Sequence, residues 1–139
     1  MLHRIKKEKD MHEGKWNGLG GKMLPGETPE ECVIREVREE SGLMIQSPKL
    51  RGILTFPKFD SRYDWYAFVF TADQFQGQLN TECDEGVLEW IEDSKLTQLR
   101  LWEGDPIFID WIEKGLFFSG KFCYETGKLK SHDVVFYDI

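Results

Sequence analysis

The octapeptide REVREESG, residues 35–42, carries three glutamates and two arginines in eight positions. In a helix, Glu36, Glu39 and Glu40 fall at i, i+3 and i+4 and share one face. Like charges at that spacing destabilise a helix by about 0.2–0.5 kcal/mol per pair. Three crowded carboxylates also raise one another's pKa, so they call for partial protonation or a divalent cation. Mg²⁺ and Mn²⁺ prefer oxygen ligands in octahedral geometry. The competing reading is a solvated acidic face balanced by pairing of Glu31 with Arg35.

The flanking residues set the limits of the helix. At TPEE, residues 28–31, Thr28 suits the N-cap, Pro29 the first helical position, and Glu31 completes a capping box. Gly42 supplies a C-terminal stop, so the helix is expected from Pro29 to about Ser41. Val33, Ile34 and Val37 fall together on the wheel as its core-facing stripe, beside the glutamates. Upstream, KWNGLGGKMLPGET (residues 15–28) is glycine-rich and reads as a loop or strand-turn segment.

Further along, the hydrophobic period changes. RGILTFPKF (51–59) and DWYAFVFTA (64–72) read as strands, the second alternating Trp65, Ala67 and Val69. GVLEWIE (86–92) reads as a short strand. GDPIFIDWIEKG (104–115) reads as a helix opened by Asp105-Pro106 and closed by Gly115. LFFSGKFCYETGKLKSHDVVFYDI (116–139) reads as a hairpin turning at Thr126-Gly127. The mixture predicts an α+β or α/β fold, a mixed sheet with helices packed on it.

The 139 residues suffice for one domain with a core, and 40% hydrophobic and 14% aromatic content indicates a globular chain. No run of about 18 apolar residues occurs, so no membrane partner is expected. The N-terminal MLHRIKKEKDMHEGK lacks an apolar core and does not read as a secretory signal. Cys32, Cys83 and Cys123 are odd in number and widely spaced, which points to a reducing, cytoplasmic setting. The net charge of −7 disfavours nucleic-acid polymers. Arg4, Lys6, Lys7, Lys9, Lys15 and Lys22 nevertheless precede the acidic helix, where they could grip a short anion or simply keep a loop solvated.

Gly21, Glu27, Arg35-Glu36-Val37, Glu39-Glu40 and Gly42-Leu43 together resemble the Nudix box, G-x5-E-x7-R-E-U-x-E-E-x-G-U, with U aliphatic. All nine specified positions agree over 23 residues. The resemblance implies a single Nudix domain over residues 1–139, an α/β/α sandwich with this helix and a late C-terminal helix on a mixed sheet. It also implies hydrolysis of a nucleoside diphosphate linked to another moiety, with Mg²⁺ or Mn²⁺. By the same resemblance, Glu36, Glu39, Glu40 and the Gly20 carbonyl are metal ligands, joined from a later loop by Glu85, with Asp84 its rival. Glu27 and Arg35 form the ion pair that fixes loop to helix, and Gly21 and Lys22 meet phosphate oxygens. Glu40, Glu36 and Glu85 are candidates for the general base, with Glu39 also in reach. Family members usually carry a complete strand before the equivalent of LHRIKK (2–7). Only Met1 precedes it here, which suggests an omitted N-terminal segment.

Outside the box, GKWNGLGGK (14–22) and LWEGDPIF (101–108) resemble the MutT-type branch that hydrolyses oxidised purine nucleoside triphosphates. That likeness places Asn17, Phe56, Trp102, Asp105 and Phe108 around the base. Asn offers a donor and an acceptor to a purine edge, and aromatic faces stack on the ring. Equally, the aromatics could be core residues and Asn17 a cap of the glycine turn. The mammalian-type branch carries two adjacent aspartates after its tryptophan and proline. Glu103, Gly104 and Asp105 stand there in this chain, so one aspartate is lost. The expectation is a pyrophosphohydrolase of purine triphosphates such as 8-oxo-dGTP, a monomer or homodimer. The alternatives are a Nudix hydrolase of a dinucleotide, nucleotide sugar or pterin triphosphate, and a nucleotide-sensing domain without turnover.

Overall fold

Helix α1 (Pro29–Ser41) begins and ends where its capping residues dictate. The Thr28 hydroxyl accepts from the Glu31 amide at 3.1 Å, and the Glu31 carboxylate accepts from the Thr28 amide at 3.0 Å. Gly42 adopts a left-handed φ of 79° and donates its N–H to the Arg38 carbonyl at 2.9 Å. The buried stripe differs from the aliphatic one expected. Cys32, Val37 and Ser41 are buried, while Val33 and Ile34 are half-buried. Ser41 tolerates burial because its hydroxyl donates to the Val37 carbonyl and accepts from the Leu43 amide.

The chain is described here by a computed structural model over residues 1–5, 14–60 and 62–138. Lys6, Lys7 and Lys9 of the basic stretch lie outside the described residues. The strands are β1 (Leu2–His3), β2 (Trp16–Asn17), β3 (Met44–Gln46), β4 (Lys49–Phe56), β5 (Trp65–Thr71), β6 (Gln74–Gln76), β7 (Glu82–Cys83), β8 (Gly86–Leu88), β9 (Phe117–Glu125) and β10 (Lys128–Tyr137). A second α-helix, α2, spans Asp105–Glu113, and a 3₁₀ segment spans Asp93–Gln98. Two compact units result: Met1–Pro48 with Ala72–Leu101, and Lys49–Thr71 with Trp102–Ile139.

In the first unit, one sheet has the order β2-β1-β8-β7, and β3 pairs with β6. Of the segment read as a strand over 86–92, Gly86–Leu88 forms β8, and Glu89 continues the pairing with Met1 through two backbone hydrogen bonds at 3.0 and 3.1 Å. Cys83 faces Gly86 across β7 and β8, so Asp84 and Glu85 form the two-residue turn. A Cβ on Gly86 would overlap the His3 carbonyl, so only glycine lets β1 approach this turn so closely.

The second unit is a mixed sheet of order β10-β9-β4-β5, with β4 and β9 parallel and the other pairs antiparallel. Both strands expected around residues 51–59 and 64–72 are present, as β4 and β5. The β9–β10 hairpin turns at Thr126 (φ 49°) and Gly127 (φ 78°), the doubly left-handed turn that matches strand twist. Leu54, Trp111, Phe118 and Phe122 form its buried core, with Trp111 supplied by α2. Asp105 and Pro106 open α2, and Gly115, at φ 71°, follows its end.

Candidate active site

The acidic face of α1 opens onto a cleft of about 300 Å³ in the first unit. Six carboxyl-bearing residues line it: Glu36, Glu39 and Glu40 from the helix, and Glu82, Asp84 and Glu85 from the β7–β8 hairpin. Asn80 completes this wall, its amide bonded to the Ser41 carbonyl at 2.8 Å.

Arg35 organises the base of the cluster. Its Nε donates to Glu27 Oε2 at 2.7 Å and its Nη2 to Glu27 Oε1 at 3.0 Å. Nη1 reaches Glu36 at 2.8 Å and Glu39 at 3.2 Å. Nη2 also donates to the Lys22 carbonyl at 3.0 Å, so one guanidinium joins helix and glycine loop. The expected alternative pairing of Arg35 with Glu31 does not form, because Glu31 is engaged in the cap. Glu27 in turn accepts from the Leu24 amide at 2.7 Å. Hydrogen bonds from Arg35, then from Leu24, hold the Glu27 carboxyl below its usual range. Glu27, followed by Glu36, holds Arg35 above its own.

The glycine loop lies directly on the carboxylates. The Gly20 amide donates to Glu40 Oε1 at 2.8 Å. A Cβ on Gly21 would overlap the Glu36 carboxyl group. Burial pushes Glu40 up to about 8, with the charges of Glu85 and Glu36 adding and the Gly20 amide opposing. Across the cleft, Glu85 pairs with Arg4 at 3.2 Å. Among the described residues no three acidic, histidine or cysteine side chains converge on a single point. The carboxylates share one cleft, Glu36 and Glu39 held by Arg35, Glu40 by the Gly20 amide and Glu85 by Arg4, with Glu40 and Glu85 also in side-chain contact.

Residues 1–112 match the NUDIX domain family. This chain is a Nudix hydrolase. It is 38% identical over 115 residues to an uncharacterized Nudix hydrolase, YvcI, of Bacillus subtilis, covering 80% of this chain and 73% of that one. It is 31% identical over 129 residues to the oxidized purine nucleoside triphosphate hydrolase of Danio rerio, covering 93% and 79% respectively. The crystal structure of the mutator MutT protein from Bacillus halodurans superposes with a TM-score of 0.85 at 29% identity, covering 96% of this chain and 86% of that one. The likeness establishes the MutT-type Nudix fold, of the mixed α/β class expected from the sequence.

The residues of this Nudix hydrolase expected around the base fall in both units. In the first, Asn17 lies on β2, and its Oδ1 is buried with no hydrogen-bond partner among the described residues. An Asn capping the glycine turn through that oxygen would not leave it unpaired. In the second unit, Phe59 bridges Phe56 (5.3 Å between centroids) and Trp102 (5.0 Å). Asp105 opens α2. Phe108 packs on the core rings Phe118 and Phe122. Lys22 is exposed on the loop.

Three features escaped the sequence reading. Arg4 lay within the basic N-terminal run, but nothing there marked its pairing with Glu85, 81 residues away. Glu82 joins the cleft from β7, and Asn80 through its backbone bond to the Ser41 carbonyl. No helix of the described residues is long and apolar enough to cross a membrane.

Proposed function

We propose that this Nudix hydrolase cleaves purine nucleoside triphosphates, including oxidised ones such as 8-oxo-dGTP, to a nucleoside monophosphate and pyrophosphate. Its relatives' activity on oxidised purine nucleotides supports the purine reading. The observation that carries the phosphate chemistry is the cluster of Glu36, Glu40 and Glu85 against the Gly20–Gly21 backbone. We further propose Mg²⁺ or Mn²⁺ as the cofactor and the cytoplasm, with its nucleotide pool, as the setting.

The residues present fit a hard divalent cation. The donors are oxygens, and burial, with the charges of Glu85 and Glu36 adding, holds Glu40 up at about 8, a crowding that a cation would relieve. Glu39 is 58% exposed, with one oxygen on Arg35. Glu36, Glu39, Glu40, Glu85 and the Gly20 carbonyl would hold the ion. When bound, it would neutralise phosphoryl oxygens and acidify a water. The chain's own groups do the rest. Gly21 and Lys22 meet the phosphates, the Arg35–Glu27 pair keeps that loop on α1, and Glu40, Glu36 or Glu85 accepts the water's proton. In the first unit, Asn17 is proposed to read the purine edge. In the second, Phe56, Trp102, Asp105 and Phe108 are proposed to contact the base. No polymer or membrane partner is part of this reading.

The test is to incubate the purified protein and Mg²⁺ with a nucleotide panel and follow pyrophosphate and phosphate release. Pyrophosphate from purine triphosphates is expected. Turnover confined to dinucleotides, nucleotide sugars or pterin triphosphate would move the substrate assignment. Tight nucleotide binding without turnover would identify a sensor.

A further inference from the structure

We propose that Tyr124 is a specificity-determining residue whose hydroxyl donates to a carbonyl oxygen of the bound purine. This deepens the proposed purine reading and rests on it.

The LWEGDPIF segment lacks one of the two adjacent aspartates of the mammalian-type branch. Gly104 occupies that position and is buried. A Cβ there would lie 2.6 Å from the Phe122 ring and 2.8 Å from the Tyr124 hydroxyl oxygen. Position 104 therefore has no room for any side chain, and the Tyr124 hydroxyl stands where one would begin. The neighbouring Glu103 offers no substitute, because its carboxylate accepts from the Leu129 amide at 2.9 Å, at the start of β10.

Tyr124 is suitably placed in the second unit. Its ring meets Trp102 edge-on at 5.2 Å and lies 6.4 Å from Phe56, the two aromatics proposed to contact the base. The Gly104 amide donates to its hydroxyl at 2.7 Å. That bond uses a lone pair and leaves the hydroxyl proton unspent. Burial pushes the group up to about 12, so it keeps this proton at neutral pH. The rings packed on it, Phe59, Trp102 and Phe56, provide no acceptor, and after burial the charges of Asp105 and Glu103 nearby push the hydroxyl further up. A hydroxyl donor beside a base-stacking tryptophan selects for an oxo group on the base. Either the 6-oxo or the 8-oxo oxygen of a purine would satisfy it.

Tyr124→Phe removes only the hydroxyl and keeps the ring packing. Steady-state kinetics of wild type and variant on dATP, dGTP, 8-oxo-dATP and 8-oxo-dGTP give the test, with circular dichroism verifying the fold. The expected result is a rise in KM of about tenfold on oxo-bearing purines, with kcat nearly unchanged and dATP little affected. Loss on dGTP identifies the 6-oxo oxygen, and loss on 8-oxo-dATP the 8-oxo oxygen. If the protein itself takes the proton, for example at Asp105, all four substrates will change alike, and that result overturns the proposal, as does no change. Titrating wild type and variant with dGMP, dAMP and 8-oxo-dAMP, followed by tryptophan fluorescence, repeats the comparison without turnover. Wild-type turnover with an unaltered substrate ratio in the variant sinks the Tyr124 assignment alone. Absence of wild-type turnover on every purine triphosphate sinks the purine reading with it.

Discussion

Arg35 grips Glu27 through both carboxylate oxygens, at 2.7 and 3.0 Å, and the same guanidinium reaches the Lys22 carbonyl. The glycine loop is thus pinned to α1 by one planar fork, a geometry lysine does not reproduce. Arg35→Lys and Glu27→Gln should each lower metal affinity or kcat by about 10–100-fold while leaving the helix formed. Metal titration alongside circular dichroism checks this. Unchanged metal affinity in both variants would show that the pair is dispensable to the cleft.

Glu40 makes the metal-free protein sensitive to pH in a definite direction. Its folded pKa of about 8 lies above the ordinary glutamate value of 4.5, so between those limits the folded state binds more protons than the unfolded. The stability this group contributes is therefore full at the acid end and declines as pH rises from about 4.5 to 8. Glu27 acts oppositely, contributing above its unfolded pKa and losing that contribution as pH falls through its depressed folded value. Thermal melts at pH 6, 7 and 8 should show a falling Tm in EDTA that Glu40→Gln flattens. A slope identical in the variant would locate the titration elsewhere.

How much of this was legible in the sequence depended on how local each feature is. The bounds of α1 follow from Thr28, Pro29, Glu31 and Gly42, all within a turn of the helix ends. The β9–β10 turn follows from Thr126-Gly127 in the same way. The buried face of α1 was misread because wheel position ranks residues by apolarity. Ser41 becomes a core residue only through its bonds to Val37 and Leu43, and Cys32 through its contact with the Gly21 carbonyl. The choice of Glu27 over Glu31 by Arg35 depends on the loop's return to the helix. The Arg4–Glu85 pair depends on β1 docking against β8, a contact between distant segments that no local pattern announces.

That close approach at Gly86 is itself testable. Gly86→Ala would force β1 away from the turn that carries Glu85, because the added methyl meets the His3 carbonyl. A loss of about 1–3 kcal/mol in urea unfolding is expected, together with reduced turnover. Wild-type stability in this variant would mean that β1 does not sit where described.

The unpaired Oδ1 of Asn17 predicts a base-reading role. Asn17→Ala should narrow the ratio of kcat/KM between purine and pyrimidine triphosphates by more than it lowers kcat on the better substrate. Equal loss on every nucleotide would count against that role.

The carboxylates of α1 and the β7–β8 turn are proposed to tolerate their crowding because a divalent cation joins them. Electron paramagnetic resonance of Mn²⁺ during titration of the folded protein, with and without a non-hydrolysable nucleoside triphosphate analogue, measures this directly. Saturable binding that the nucleotide strengthens, and that Glu36→Gln with Glu40→Gln weakens by at least about tenfold, is the predicted result. No saturable Mn²⁺ binding in either condition, or binding indifferent to both substitutions, would contradict it.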